Sequence, residues 1–428
     1  MPTRSAFAVF NEESLQVVDA SRFNAAFAKP IYDTYSFAQI PHTVRRALTG
    51  IEGGLPPKAL AHLPERYQKV VLLFVDSFGW RFLEQHYKAY PFLKRFADNG
   101  VISKISVQFP STTSAHVTTI NTAQNVGETG VYEWFYYEPM LDAIIAPLPF
   151  SYAGDHTAET LRNVVAPQAI LPRQIFYEEL AAHGVKSYIF QDKSIAHSLY
   201  GQAMFSGARI VPYRTLSEGL LNLSVAVNAS RERSYFMFYY APIDTIAHVY
   251  GPDTPHQRAE IDTFFTALER LFYANLDANG DTLILLTADH GQVEVDPGTT
   301  IYLNHALPEL KALLKTNRHG VPLVPAGSAR DMFLYVKEQH LQAAYEMLLA
   351  HLSGLAEVYR TADLVEQGFF GANCSPVFRS RLGNLVVLPY AHESVWWYEK
   401  DKYEQIFLGH HGGLTPSELH SVFMALVR

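Results

Sequence analysis

The pattern of apolar and polar positions divides the chain into alternating strands and helices. Lys69-Val-Val-Leu-Leu-Phe-Val-Asp76, the run from Ser234 to Asp244, and Asp281-Thr-Leu-Ile-Leu-Leu-Thr-Ala-Asp289-His290-Gly291 each hold a short, unbroken apolar core. Runs of this length and composition predict strands buried on both faces. Val101 to Phe109 alternates and is rich in β-branched residues, and Val185-Lys-Ser-Tyr-Ile-Phe190 repeats the signal, so two more strands are predicted. Helical spacing follows from Trp80 to Phe96, where Pro91 breaks or kinks the element, from Gln174 to Gly184, and from Pro255 to Asn275. Ile40 to Gly50 reads as a short amphipathic helix. Strand and helix taking turns in this way predict an α/β fold with a mostly parallel sheet covered on both faces.

The rhythm changes after His290. Asp331 to Lys337, a helix over 339–352 and Ala356 to Tyr359 form a β-α-β pattern, and Asn384 to Leu388 adds a strand. We therefore expect a catalytic core at 66–305 and 401–428, a smaller α+β subdomain inserted at 306–400, and an N-terminal arm, residues 1–65, packed on the core. Thr415 to Leu426, with Pro416 in its first turn, predicts a closing helix.

Bulk composition narrows the function classes. The 428 residues are 48% hydrophobic and 18% charged, enough to bury a large core. A net charge of -8 argues against a nucleic-acid polymer or an anionic membrane as the main partner. No stretch reaches the length of a membrane span, and the segment from Met1 to Glu13 has no long apolar run of the kind a secretion signal carries. The one cysteine, Cys374, cannot form an intrachain disulfide. A cytoplasmic location is expected.

The chemistry sits where the strands stop. In open α/β sheets, ligands bind beyond the carboxyl ends of the strands, and three predicted strands deliver Asp76, Asp244 and Asp289 there. Asp244 and His248 stand one helical turn apart, a spacing suited to a shared metal. His290 adjoins Asp289, and His411 lies in the Gly-rich segment Gly409-His-His-Gly-Gly413, beside His410. Three aspartates and three histidines suffice for two three-ligand sites with open positions. Nitrogen and oxygen donors without thiolate suit zinc, with manganese next. Phe109-Pro-Ser-Thr-Thr-Ser-Ala-His116 runs from a strand through a cluster of hydroxyls into a helix. A hydroxyl at a helix start lies among free N–H groups, an environment suited to a phosphate and to a hydroxyl nucleophile.

These motifs, in order, resemble the alkaline phosphatase superfamily, and within it the type I phosphodiesterase/nucleotide pyrophosphatase family. The matching residues are Asp76 after a strand, Phe109-Pro-Ser-Thr-Thr113, Asp244-x-x-x-His248-x-x-Gly-Pro252, Thr-Ala-Asp289-His290-Gly291 and Gly409-x-His411-Gly412. The resemblance implies an alkaline-phosphatase-like α/β/α sandwich and two divalent metals. Asp244, His248 and His411 would hold one metal. Asp76, Asp289 and His290 would hold the other, with Thr113 between them as nucleophile and ligand, and with Ser111 and Thr112 as its near neighbours. It also implies hydrolysis of a phosphodiester or nucleotide pyrophosphate, a small phosphorylated substrate with nucleotides among the candidates. A phosphomonoesterase or phosphomutase with the same metals, and a metal-stabilised binding protein whose catalysis has decayed, are the alternatives. Trp134 and Tyr132 are candidate walls of a leaving-group pocket, and Lys193 and Arg330 are candidate phosphate contacts.

Overall fold

The computed structural model describes residues 10–428; the first nine residues, which include most of the segment read for a secretion signal, lie outside them. Strands are numbered here in chain order: β1 (Lys69–Val75), β2 (Val101–Ser106), β3 (Lys186–Asp192), β4 (Ala208–Tyr213), β5 (Ser234–Tyr240), β6 (Thr282–Thr287), β7 (Met332–Leu334), β8 (Ala356–Arg360), β9 (Leu385–Pro389) and β10 (His420–Val427). The helices that matter below are α1 (Ile40–Thr49), α2 (Trp80–His86), α3 (Pro91–Asn99), α4 (Thr113–Thr122), α5 (Pro242–Tyr250), α6 (Pro255–Ala267) and α7 (Leu341–His351).

Seven strands form the central sheet in the order β2-β10-β6-β1-β5-β3-β4. Its strands run parallel except β10, which is antiparallel to both neighbours. Lys69 of β1 is level with Ser234 of β5 and Thr282 of β6. The three strands therefore end level as well, and their carboxyl ends open on one edge.

Alternation along β1 divides the core into two layers. Val70, Leu72 and Phe74 belong to one buried cluster, which includes Ile40, Val44 and Leu48 of α1 and Ala115 and Ile120 of α4. Val71, Leu73 and Val75 belong to the other, with residues of α2, α3 and α6. The sheet is thus covered on both faces, and the N-terminal arm supplies part of one cover. At about 25 cal/mol per Å² of buried apolar surface, these layers supply most of the gross stabilisation. Pro91 breaks the stretch from Trp80 to Phe96 into two helices and takes the first position of α3, where a proline costs no hydrogen bond. The long helix expected to Asn275 ends at Ala267 and continues as a π-turn over Leu268–Phe272 and a short 3₁₀ turn.

Residues 303–403 contain a third buried cluster. The small antiparallel sheet β7-β9-β8 lies between two layers. Met332, Leu334, Leu385 and Val387 pack with Ala344 and Leu348 of α7. Phe333, Tyr335, Val386 and Leu388 face the main core. Strands β7 and β8 flank β9, so the β-α-β pattern is split by a third strand.

One expected element is corrected. Residues 415–426 are not a helix. A single turn, Pro416–Leu419, gives way to β10, which inserts between β2 and β6. From His420 to Leu426 the run is buried throughout. An unbroken apolar run has no period by which to tell a buried strand from a buried helix.

Candidate metal centre

Asp76 leaves β1 with its N–H bonded to the Tyr240 carbonyl at 2.9 Å. Asp289 follows β6 two residues after its end, and its Oδ1 accepts the Ser77 N–H at 3.1 Å. The two strand-end turns touch backbone to backbone. A Cβ on Gly79 would lie 2.7 Å from Gly291 Cα, and one on Gly291 would lie 2.1 Å from the Ser417 carbonyl oxygen. Only glycine permits this approach, and it brings the loops after β1 and β6 together. Asp244 and His248 stand on one face of α5, with His248 Nε2 3.4 Å from Asp244 Oδ2. His411 comes from the segment that continues the short pairing of Val293–Glu294 with Gly409–His410.

These side chains meet in one place. Donor atoms of Asp76, Asp289 and His290 lie within 4.8 Å of one another, as do those of Asp244, His290 and His411. His290 belongs to both groups. Its Nε2 is 3.3 Å from Asp76 Oδ1 and 3.5 Å from Asp289 Oδ2. The His411 ring stacks on it at 3.6 Å, with Nε2 3.7 Å from Asp244 Oδ1. His248 joins through Asp244.

All three histidines point Nδ1 at a backbone carbonyl: His248 at Gly409 (2.7 Å), His290 at Gly291 (3.0 Å) and His411 at Ser111 (3.0 Å). That fixes the proton on Nδ1 and turns the Nε2 lone pair into the site, the arrangement a metal ligand needs. Asp76 Oδ1 and Asp289 Oδ2 are buried without a hydrogen-bond partner. Burial, and then the neighbouring Asp289 and Asp244, push the Asp76 carboxyl well above the ordinary carboxylate range. Burial raises Asp289 too. On Asp244 burial is outweighed by His248, and its carboxyl is lowered. Burial, then His290 and His248, hold the His411 imidazole well below its ordinary value, hence neutral. Crowded carboxylates with orphaned oxygens, beside imidazoles whose Nε2 faces the site, fit divalent cations with mixed nitrogen and oxygen ligation.

The three hydroxyls ahead of α4 part company. Ser111 Oγ donates to the Gly413 carbonyl at 2.8 Å. Thr112 occupies the N-cap position, and its hydroxyl has no hydrogen-bond partner. Thr113 Oγ1 lies 3.2 Å from His290 Nε2. Next to the candidate ligand groups is a cavity of about 410 Å³, lined by Trp134, Phe135, Trp396, Tyr403 and Phe407 together with Asp244, His248 and His411. His410 also reaches its wall, but its Nδ1 is turned to the His411 backbone.

The remaining sequence candidates lie elsewhere. Tyr132 is fully buried, stacked on Tyr136 with its hydroxyl at the Arg381 carbonyl, so it braces the core rather than walling the cavity. Arg330 is also fully buried. Its guanidinium is taken by the Glu418 carboxylate and the Tyr390 and Glu393 carbonyls, which leaves it no reach to a phosphate. Lys193 is exposed beyond β3, two strands away from β1, and does not line the cavity. Two contacts went unread in the sequence. The Tyr239 hydroxyl donates to Asp76 Oδ2, and Gln292 Nε2 donates to Asp244 Oδ1 at 2.6 Å. Their only sequence signal is a polar atom at a strand end beside a ligand candidate.

Residues 70–414 match the family model described as type I phosphodiesterase / nucleotide pyrophosphatase. No curated protein matches the chain. Among solved structures, murine ectonucleotide pyrophosphatase / phosphodiesterase 5, in an inactive form with AMP, superposes with a TM-score of 0.62 at 16% identity, over 84% of this chain and 88% of that one. The human counterpart gives a TM-score of 0.61 at 18% identity, over 84% and 87%. Phosphonoacetate hydrolase from Sinorhizobium meliloti 1021, with phosphonoacetate, gives 0.58 at 18% identity, over 83% and 89%. At these identities the likeness is one of fold.

Proposed function

Because this chain belongs to the type I phosphodiesterase/nucleotide pyrophosphatase family, metal-dependent phosphoester hydrolases of the alkaline phosphatase superfamily, we propose that it cleaves phosphodiesters or nucleotide pyrophosphates through a covalent phosphothreonine at a two-metal site. Asp244, His248 and His411 hold one metal in this reading, and Asp76, Asp289 and His290 hold the other, zinc being favoured and manganese next. Bound there, the metals supply Lewis acidity, which favours the Thr113 alkoxide and offsets charge gathering on the phosphoryl and leaving oxygens. One observation carries the proposal: Thr113 Oγ1 sits at the start of α4, 3.2 Å from His290, whose donor atom lies within 4.8 Å of those of Asp76, Asp289, Asp244 and His411.

Thr113 gives up its hydroxyl proton to solvent, and its Oγ1 attacks phosphorus. The new O–P bond forms as the bond to the leaving oxygen breaks, and water later cleaves the phosphothreonine in the reverse sense. The first N–H groups of α4 have no partner within their helix and would be free to hold phosphoryl oxygens of a substrate at Thr113. The histidines are held with Nε2 inward by their Nδ1–H bonds to backbone carbonyls. The aromatic cavity beside Asp244 and His411 gives room for a bulky group on the phosphorus, which favours the diester reading over the monoester one.

The test is turnover of a chromogenic phosphodiester beside the matching monoester, for wild type and for Thr113→Ala. We expect the diester to be preferred, and Thr113→Ala to lose at least a thousandfold in kcat with both metals retained. Full activity in that variant removes Thr113 from the mechanism. Monoester preference supports the phosphatase alternative, and metal without turnover of either ester supports the binding protein.

A further inference from the structure

Just behind the turn that carries Thr113, two carboxylates outside the proposed metal groups face each other in the interior. Glu133 and Asp331 are both completely buried. Glu133 faces Asp331 on one side and the Thr112 hydroxyl on another. Glu133 Oε2 accepts the Trp134 N–H, and Asp331 Oδ1 accepts the Ser328 N–H at 3.1 Å and the Ser328 hydroxyl. The other oxygen of each, Glu133 Oε1 and Asp331 Oδ2, has no hydrogen-bond partner. Thr112 Oγ1, also completely buried, makes no well-formed hydrogen bond to another described residue and lies within reach of Glu133.

Among the described residues, no positive side chain bears on either acid. Arg330, next to Asp331 in sequence, is spent on Glu418 and two backbone carbonyls. The charged group that bears on Asp331 is the acid Glu418, and the Glu133 side chain lies within hydrogen-bonding reach of it. The backbone closes over the pocket tightly: a Cβ on Gly412 would lie 2.7 Å from Asp331 Oδ1 and 2.6 Å from Ser328 Oγ. Two dry carboxylates side by side are costly unless a cation or a proton lies between them.

We propose that Glu133 Oε1, Asp331 Oδ2 and Thr112 Oγ1 bind a third cation, a hard divalent ion of the magnesium or calcium class, separate from the two ions of the catalytic centre. The donor chemistry selects that class. All three donors are oxygen, with neither imidazole nor thiolate, and two carboxylates match one divalent charge. Each catalytic group, by contrast, contains histidine nitrogen. The ion ties the Thr112 side chain, one residue before Thr113, to the segment after Ser328 that backs His411.

The test counts ions and does not depend on activity, so it is independent of the diesterase reading. Zinc-loaded enzyme is titrated with magnesium chloride and with calcium chloride, and bound ions are measured by elemental analysis after gel filtration. Wild type is expected to take up one equivalent of Mg2+ or Ca2+ beyond its zinc. The double variant Glu133→Gln/Asp331→Asn is expected to lose that equivalent and keep its zinc. Thr112→Val, which leaves both carboxylates in place, is expected to weaken the binding about tenfold or more. Absence of the extra equivalent in wild type at millimolar concentration overturns the proposal and leaves a shared proton between the acids. Wild-type affinity in both variants overturns it as well. Should the double variant fail to fold, anomalous diffraction from zinc-loaded wild-type crystals soaked in calcium decides: a peak between Glu133 and Asp331 sustains the site, and none there removes it.

Discussion

Tyr239 and Gln292 show how single residues set the ligands. Each donates one hydrogen bond to a carboxylate, Tyr239 to Asp76 and Gln292 to Asp244. Such partners orient ligands, and their loss typically costs 10–100-fold in metal affinity or activity. Tyr239→Phe is therefore expected to weaken metal retention by about that factor, read by competition with a chromogenic chelator. Unchanged affinity would mean that the Asp76 carboxylate is held by β1 alone. Gly291→Ala should be worse than its size suggests, because its Cβ would collide with the Ser417 carbonyl. Overpacking of this kind costs about 1–3 kcal/mol, seen as a lower denaturant midpoint. At this scale the sequence was legible where chemistry repeats as a motif. Asp76, Asp289, His290 and His411 announced themselves as polar residues ending apolar runs or sitting among glycines. Tyr132 and Arg330 misled because residue type carries no information on burial: an arginine can spend its donors on Glu418 as readily as on a phosphate. The facing of Glu133 and Asp331 is invisible in sequence, since 198 positions separate them.

Among elements, β1 and β6 were plain from their apolar runs, and their level ends place Asp76 and Asp289 together. The closing segment was not plain. Val422, Phe423, Met424, Ala425 and Leu426 are all buried, so neither a helical stripe nor strand alternation survives to be read. Pro416 after Thr415 does start a helix, but it lasts one turn. Phe423→Ala should cost about 3–5 kcal/mol, the range for deleting a buried aromatic ring, measured by chemical denaturation. The same strand begins with His420, whose imidazole burial, aided by Lys104, lowers to about 3. Burial likewise lowers His116 in α4 to about 3. A base with a depressed folded-state pKa stays neutral in the fold while the unfolded chain takes up a proton. Stability is therefore whole above pH 6.5 and lost as pH falls from there toward 3, by about 1.4 kcal/mol per pH unit for each histidine. Replacing His420 with Gln should flatten that acid slope by one proton, as read from midpoints across the pH range.

At the scale of the molecule, candidate ligands from positions 76 to 411 converge because the sheet delivers its strand ends to one edge, so a metal bound there would crosslink the whole core. Removing the metals leaves Asp76 and Asp289 buried, crowded and raised by burial. Raised carboxyls hold their protons in the metal-free fold, so that fold loses stability as pH rises and they ionise. Metal binding needs the ionised form. The gap in Tm between loaded and chelated protein should thus widen with pH, and each site saturated at a hundred times its Kd adds about 2.7 kcal/mol. A gap that is constant or shrinks with pH would place the metals on other ligands. The position of β10 has a further consequence, one of timing. The strand nearest the carboxyl end fills the gap between β2 and β6. Until β10 is in place, β6 has one open edge, and β2 keeps, among the described residues, isolated bridges to Phe10 and Ser36. Closing the sheet therefore waits on pairings between strands far apart in sequence, which are slow to form, and until they form the edge of β6 beside Asp289 stays open to pairing with other chains.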